Sequence, residues 1–177
     1  MNDPDYAKLV KIHGPTPGEL WILVDICQQS LSLNKCQQTL AAWPVSTARN
    51  GCGNMQDSLK TPTGMHRIAE KIGSDSDINT IFKGRVDTHC QATVVHEPHS
   101  QDEDLITSRI LWLTGIEEGK NLGEGISSYE RYIYIHGTPE EGLIGKPVSH
   151  GCIRMRNQDV IELFDQVDVD TLVLIQE

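Results

Sequence analysis

The chain has 177 residues, 38% hydrophobic and 23% charged, which is the size and composition of one folded domain with its own core rather than of a disordered or fibrous polymer. A formal net charge of −10 with no basic stripe argues against a nucleic-acid partner and against anionic membrane surfaces. No run approaches the roughly 20 apolar residues of a membrane span, and Met1–Tyr6, with two acids and a proline, lacks the basic start and apolar stretch of a secretory signal, so a cytoplasmic protein is expected.

In chain order, Leu20–Val24 is a short apolar run and Asp25–Leu33 half-alternates. Asn34–Lys35 reads as a turn, and Thr39–Ser46 as another extended stretch. Residues 49–60, with Gly51 and Gly53, form a loop, and Thr61-Pro62-Thr63-Gly64 is a turn before a strand at 65–70. Residues 73–85 are polar and fit a short helix or a loop. Strands are expected at 90–95 and 108–113, with the acidic run at 102–104 a solvated loop between them. A further loop covers 117–128. Residues 131–135 are aromatic and β-branched, hence a strand ending at His136-Gly137. Val160, Leu163, Phe164 and Val167 fall at i, i+3, i+4 and i+7, an amphipathic helix with Asn157 as its cap, and Thr171–Ile175 closes the chain as a strand. The pattern predicts a single domain over 1–177, mainly β with a helix in the C-terminal region.

Five cysteines, an odd number with no CxxC pair, read as reduced thiols. Cys27, Cys36 and Cys90 are expected to be structural, and Cys52, between two glycines, exposed but without a base. Cys152 stands apart, in Ser149-His150-Gly151-Cys152-Ile153-Arg154. A glycine directly before a cysteine suits a tight turn whose backbone N–H groups can hold a developing oxyanion. Positive potential from Arg154 would favour the thiolate, which is the nucleophile. His136, at a strand end, is the candidate base, and either a backbone carbonyl or a carboxylate could orient it. His66, His89, His96 and His99 are expected on the surface or in loops, and Tyr132 and Tyr134, at strand spacing, in the core.

A histidine–glycine pair, a spacer, and then serine, His-Gly-Cys, an apolar residue and arginine resembles the L,D-transpeptidase catalytic domain, or YkuD domain. Upstream segments fit as well: Trp21–Asp25, Pro44-Val45-Ser46-Thr47 and Lys60-Thr61-Pro62-Thr63-Gly64, so the likeness spans about residues 20–176. The resemblance implies a β-sandwich or barrel with the cysteine in a groove. It also implies acyl transfer at the bond between the diamino acid and the following D-alanine of peptidoglycan stem peptides, with a muropeptide as substrate and no cofactor. Cys152 would form a thioester and His136 would shuttle the proton. The Gly137 carbonyl would orient His136, the amides of Gly151 and Cys152 would hold the oxyanion, and His150, Arg154 and Ser149 would contact substrate. A buried salt-bridged Arg154 is the competing expectation. A cytoplasmic member would meet soluble muropeptides and water, hence L,D-carboxypeptidase activity in murein recycling; transpeptidation is the alternative. Two other classes compete: a zinc module using His136, His150 and Cys152, and an inactive binding domain that kept the fold.

Overall fold

The computed structural model describes residues 18–100 and 104–177. Ten strands run β1 (Leu20–Asp25), β2 (Ser30–Lys35), β3 (Gln38–Pro44), β4 (Gly64–Ile72), β5 (Thr80–Lys83), β6 (Val86–Gln91), β7 (Ile106–Gly115), β8 (Tyr134–Gly137), β9 (Ile153–Met155) and β10 (Leu172–Gln176). One α-helix, α1, covers Asn157–Gln166. The strands form one mixed sheet in the order β3-β2-β1-β10-β4-β7-β5-β6, with β8 branching from β7 and β9 paired to β8. Two contacts are parallel, β1 with β10 and β8 with β9.

Successive side chains of a strand face opposite sides, and that alternation builds the core. Ile22 and Val24 of β1, Val173 and Ile175 of β10, Leu111 and Leu113 of β7, Ile135 of β8 and Ile153 of β9 all enter one cluster. Val160, Leu163 and Phe164 of α1 close it. The opposite parity makes two smaller clusters: Trp21 with Met65 and Leu174, and Ile110 and Trp112 with Phe82 and Tyr134. The second of these lies under the site described below.

The mainly-β architecture with its C-terminal helix is as expected, and several boundaries differ. β2 runs through Lys35, so the hairpin turn falls at Cys36–Gln37, with Cys36 at φ +52. Asn34 stays in the strand because its side chain is satisfied there, donating to Ser32 Oγ and accepting from Thr39 Oγ1. The stretch 73–85 holds β5 rather than a helix, and its hairpin partner β6 ends at Gln91, before most of the strand expected at 90–95. β8 begins at Tyr134 because Arg131 and Tyr132 are spent on turns, their amides donating to Ser127 O and Tyr129 O. Tyr132 therefore leaves the core and is 52% exposed, while Tyr134 is buried. β9 is a strand the pattern did not reveal.

Three further expectations are corrected. Cys27 and Cys90 are exposed and Cys36 is half-buried, so none is a core thiol. His66 is fully buried, with its ring nitrogens at Gly64 O and Ser128 Oγ, whereas His89, His96 and His99 are exposed. Of the acidic run, 102 and 103 lie outside the described residues, and Asp104 belongs to the site.

Candidate active site

The parallel register places His136 beside Arg154 and Ile135 beside Ile153. Cys152 lies one residue before β9 and shares the parity of Arg154, as Tyr134 shares that of His136. Four side chains, Tyr134, His136, Cys152 and Arg154, thus stand on the face turned away from the main core, on strands about 4.8 Å apart. Ile135 and Ile153 anchor the same strands on the other side.

His136 is buried, and its Nδ1 lies 2.7 Å from Gly137 O. A carbonyl can only accept, so Nδ1 carries the proton and Nε2 keeps its lone pair. Gly137 is required by space. A Cβ there would come within 2.6 Å of Thr107 O and 2.7 Å of Asn157 Oδ1. The strand opposite is bulged between Thr107 and Ile110, with Ser108 at φ +65, a device common beside active sites. Asn157 holds the bulge in place. Its Oδ1 accepts from Thr107 Oγ1 and Ser108 Oγ, both at 2.6 Å, and its Nδ2 donates to Thr138 O at 2.9 Å. Asn157 is therefore not the helix cap; that position is Arg156, and the Asn157 side chain is buried in a polar knot behind the histidine.

The loop before Cys152 is braced from two sides. Thr61 Oγ1 donates to Gly151 O at 3.0 Å and accepts the Ala48 amide, which explains the threonine of the Lys60–Gly64 segment. Ser149 Oγ donates to Cys152 O at 2.6 Å and accepts the Gly151 amide at 3.2 Å. Gly151 has φ +134, a conformation suited to glycine. Two expectations change. Ser149 is buried and braces the loop instead of facing substrate. The Gly151 N–H is engaged by Ser149, which leaves the Cys152 N–H as the amide without a partner among the described residues.

Cys152 is partly exposed, but its sulfur is enclosed against the Trp112–Tyr134 cluster. Sγ has Tyr132 O and the Tyr134 N–H as partners, each at 3.4 Å. Burial pushes the thiol up to about 12, against the opposing pull of the Tyr134 N–H. Burial likewise pushes His136 down to about 4, although Asp104 and the Gly137 carbonyl act the other way. The resting pair is a neutral thiol beside a neutral imidazole. The charge of Arg154 does pull the thiol toward the thiolate, as expected, but burial outweighs it, and two carboxylates hold the guanidinium.

Those carboxylates are Glu140, 2.7 Å from Nη1, and Asp104, 2.6 Å from Nη2. The Arg154 side chain is only 3% exposed and Glu140 4%, so Arg154 is the buried salt-bridged residue and not an open anchor for a substrate carboxylate. Asp104 also meets His150 Nδ1 at 2.9 Å. Its carboxyl is held below the usual range even though burial works in the other direction, because the charge of Arg154, the electrostatic influence of His136 and hydrogen bonds from Arg154 and His150 outweigh that burial. His150 is 60% exposed and separates two open polar clefts. One, of about 170 Å³, is lined by Gln56, Arg131 and Tyr132, and the other, of about 190 Å³, by Arg49, Asp104 and Val148.

Among the described residues no three His, Cys, Asp or Glu side chains converge as metal ligands, and His150 turns to Asp104 rather than to Cys152 and His136. The residues that sequence reasoning missed are Asp104, Glu140, Asn157 as a brace, and Arg131, whose guanidinium donates to Lys60 O at 2.6 Å and whose charge reaches Cys152. None carries a motif of its own.

A buried imidazole locked by its neighbour's carbonyl, with a cysteine on the same face just before the next parallel strand, defines a thiol–imidazole site on a mainly-β domain. Residues 19–175 match the family model described as the L,D-transpeptidase catalytic domain, YkuD, and the chain belongs to that family. It is 54% identical over 43 residues to the Bacillus subtilis protein named "Putative L,D-transpeptidase YqjB", a stretch covering 24% of each chain. It is 51% identical over 43 residues to the Escherichia coli protein named "Probable L,D-transpeptidase YbiS", covering 24% of this chain and 14% of that one. The matched stretch thus spans a quarter or less of these relatives. In fold it resembles an L,D-transpeptidase from Mycobacterium smegmatis, with a TM-score of 0.57 and 17% identity over 90% of this chain and 59% of that one. The L,D-transpeptidase from Xylanimonas cellulosilytica gives 0.51 and 15% over 98% and 70%.

Proposed function

We propose that the protein is a cysteine acyl-transfer enzyme of peptidoglycan stem peptides and that water is its main acceptor, making it an L,D-carboxypeptidase that releases the terminal D-alanine of murein tetrapeptides. The observation that carries this reading is the placement of Cys152 and His136 on one face of β8 and β9, with the imidazole fixed by the Gly137 carbonyl.

Cys152 Sγ turns about χ1 from Tyr132 O toward the imidazole, a rotation between staggered wells. His136 Nε2 takes the thiol proton as sulfur attacks the carbonyl carbon of the diamino acid's L-centre. The Cys152 N–H donates to the oxyanion. Collapse breaks the C–N bond, and D-alanine leaves as an amine with the proton from His136. Water then attacks the thioester, giving its proton to His136, and the tripeptide acid departs as the thiol is restored.

Hydrolysis is supported by concentration: the acyl-enzyme of a soluble muropeptide meets water in vast excess over any amine, and an amine wins only where an acceptor groove orients it. Cytoplasmic muropeptide recycling is supported by five free thiols, two of them exposed, which suit a reducing compartment. The second reading, transpeptidation, is favoured by the names of the relatives. Incubation with disaccharide tetrapeptide and a large excess of a D-amino acid, followed by mass analysis, separates the two. Tripeptide as the main product is expected; mostly exchanged tetrapeptide would replace hydrolysis with transpeptidation.

A further inference from the structure

The β5–β6 hairpin closes through Gly84 and Arg85, both with positive φ, +55 and +69. Two-residue turns of this kind favour Asn-Gly, and a long side chain at the second position adopts a sparsely populated conformation. Arg85 nevertheless occupies it, and its guanidinium lies over the rings of Trp112, at 4.7 Å, and Tyr132, at 5.1 Å. Nη1 donates to Tyr134 Oη at 3.3 Å. Beneath it, Trp112 stacks on Tyr129 at 4.1 Å and takes Tyr134 edge-on at 5.5 Å.

This aromatic bed reaches the nucleophile. The backbone of Tyr132 and of Tyr134 supplies both partners of Cys152 Sγ, and the side chains of the same two tyrosines meet Arg85. The chain carries ten more acids than bases, yet among the described residues no carboxylate lies within ion-pair distance of Arg85. Arg154, in contrast, is spent on Glu140 and Asp104. A guanidinium seated over aromatic rings that also border the thiol nucleophile, with no carboxylate of its own among the described residues, is suited to a carboxylate.

Resting on the acyl-transfer reading above, we propose that Arg85 is the residue that selects substrate by binding a stem-peptide carboxylate, the function expected of Arg154 from the sequence. The carboxylate can come from the terminal D-alanine, from the side chain of the diamino acid, or from the D-glutamate residue.

The test measures binding by calorimetry in the full chain carrying Cys152→Ala, which removes chemistry, with Arg85 intact or changed to Met or Gly. The probes are a tetrapeptide with all carboxylates free and three peptides each amidated at one of them. With Arg85 intact, one amide is expected to bind about tenfold more weakly than the free acid. In Arg85→Met the free acid falls to the level of that amide, and the other two amides lose affinity in parallel with the free acid. The amide that no longer responds to the substitution identifies the source. Arg85→Gly relieves the turn while giving up the ring contacts, and it should show the same loss of discrimination. Equal weakening of all four peptides, or unchanged affinity in Arg85→Met, overturns the proposal. Turnover of the free tetrapeptide by the unaltered protein is scored separately. Its absence counts against the acyl-transfer reading and leaves the Arg85 result intact.

Discussion

Replacing Arg154 with methionine separates a scaffold role from a substrate role. The guanidinium is 3% exposed and bridges Glu140, 4% exposed, to Asp104, 31% exposed. Methionine fills much of the same volume but removes the cation that joins the two carboxylates. Breaking a buried pair by removing one partner costs about 3–5 kcal/mol. Most of that falls on Glu140, since solvent screens the more exposed Asp104. At about 2–4 °C per kcal/mol for a chain of this size, the melting temperature should drop by roughly 6–20 °C. Adding Glu140→Gln removes the stranded buried charge and should recover about half of the loss, a sign of direct coupling. Thermal melts and urea titrations of the two single variants and the double variant provide the measurement. A shift under about 2 °C with a large rise in KM would refute the scaffold assignment and return Arg154 to the substrate.

Gly137→Ala places a methyl against Thr107 O and Asn157 Oδ1, so it should cost about 1–3 kcal/mol of stability. By moving the carbonyl that fixes His136, it should also lower kcat/KM about a hundredfold; activity within twofold of the unaltered protein would show that this geometry is immaterial. Because burial pushes Cys152 up to about 12, brief alkylation near neutral pH should label exposed Cys27 and Cys90 before Cys152, and Cys152 labelled first would restore the thiolate picture. His66 and His136 are both pushed down to about 4 by burial, so the unfolded chain binds more protons between about pH 6.5 and 4. Stability should therefore fall across that window on acidification, by up to about 3 kcal/mol for each histidine, and a flat urea midpoint from pH 7 to 4 would contradict it.

What was legible in the sequence is what repeats at fixed spacing. The alternation of β1 and β10 and the 3.6-residue stripe of α1 follow from where side chains point on a regular element, and the His136-Gly137 and Ser149–Arg154 segments carry their chemistry in contiguous residues. The rest depends on pairs distant in the chain. Nothing local to Asn157 says that its amide will meet Thr107 and Ser108, because that contact exists only once β7 bulges beside β8. Asp104 reads as one more acid in a polar run until the fold brings Arg154 to it across 50 residues. Arg154 was legible as a cation, but its neutralisation was not. From that missed neutralisation came the wrong expectation of a substrate anchor, whereas the standing thiolate failed on the burial of the sulfur, which outweighs the pull of Arg154.

The neutral pair also determines what substrate must accomplish. A thiol near 12 and an imidazole near 4 do not exchange a proton at rest, so the sulfur is guarded against solvent electrophiles. Attack becomes accessible when proton transfer is coupled to formation of the C–S bond, with the charge placed on an oxyanion that the Cys152 amide can receive. The imidazolium formed at that moment needs an anion. Asp104 is the acid whose charge raises His136, and it can serve both His136 and the partly exposed His150 while Arg154 holds it in position. A protein that stabilises the charged pair only when both charges develop has its catalytic advantage in the transition state rather than in the resting enzyme. On that argument Asp104→Asn should lower kcat more than it raises KM, and the rate should be flat from about pH 5 to 10 rather than bell-shaped about neutrality. Steady-state kinetics across that range decide it: a bell centred near pH 7, or an effect of Asp104→Asn on KM alone, would place a thiolate–imidazolium pair in the resting site.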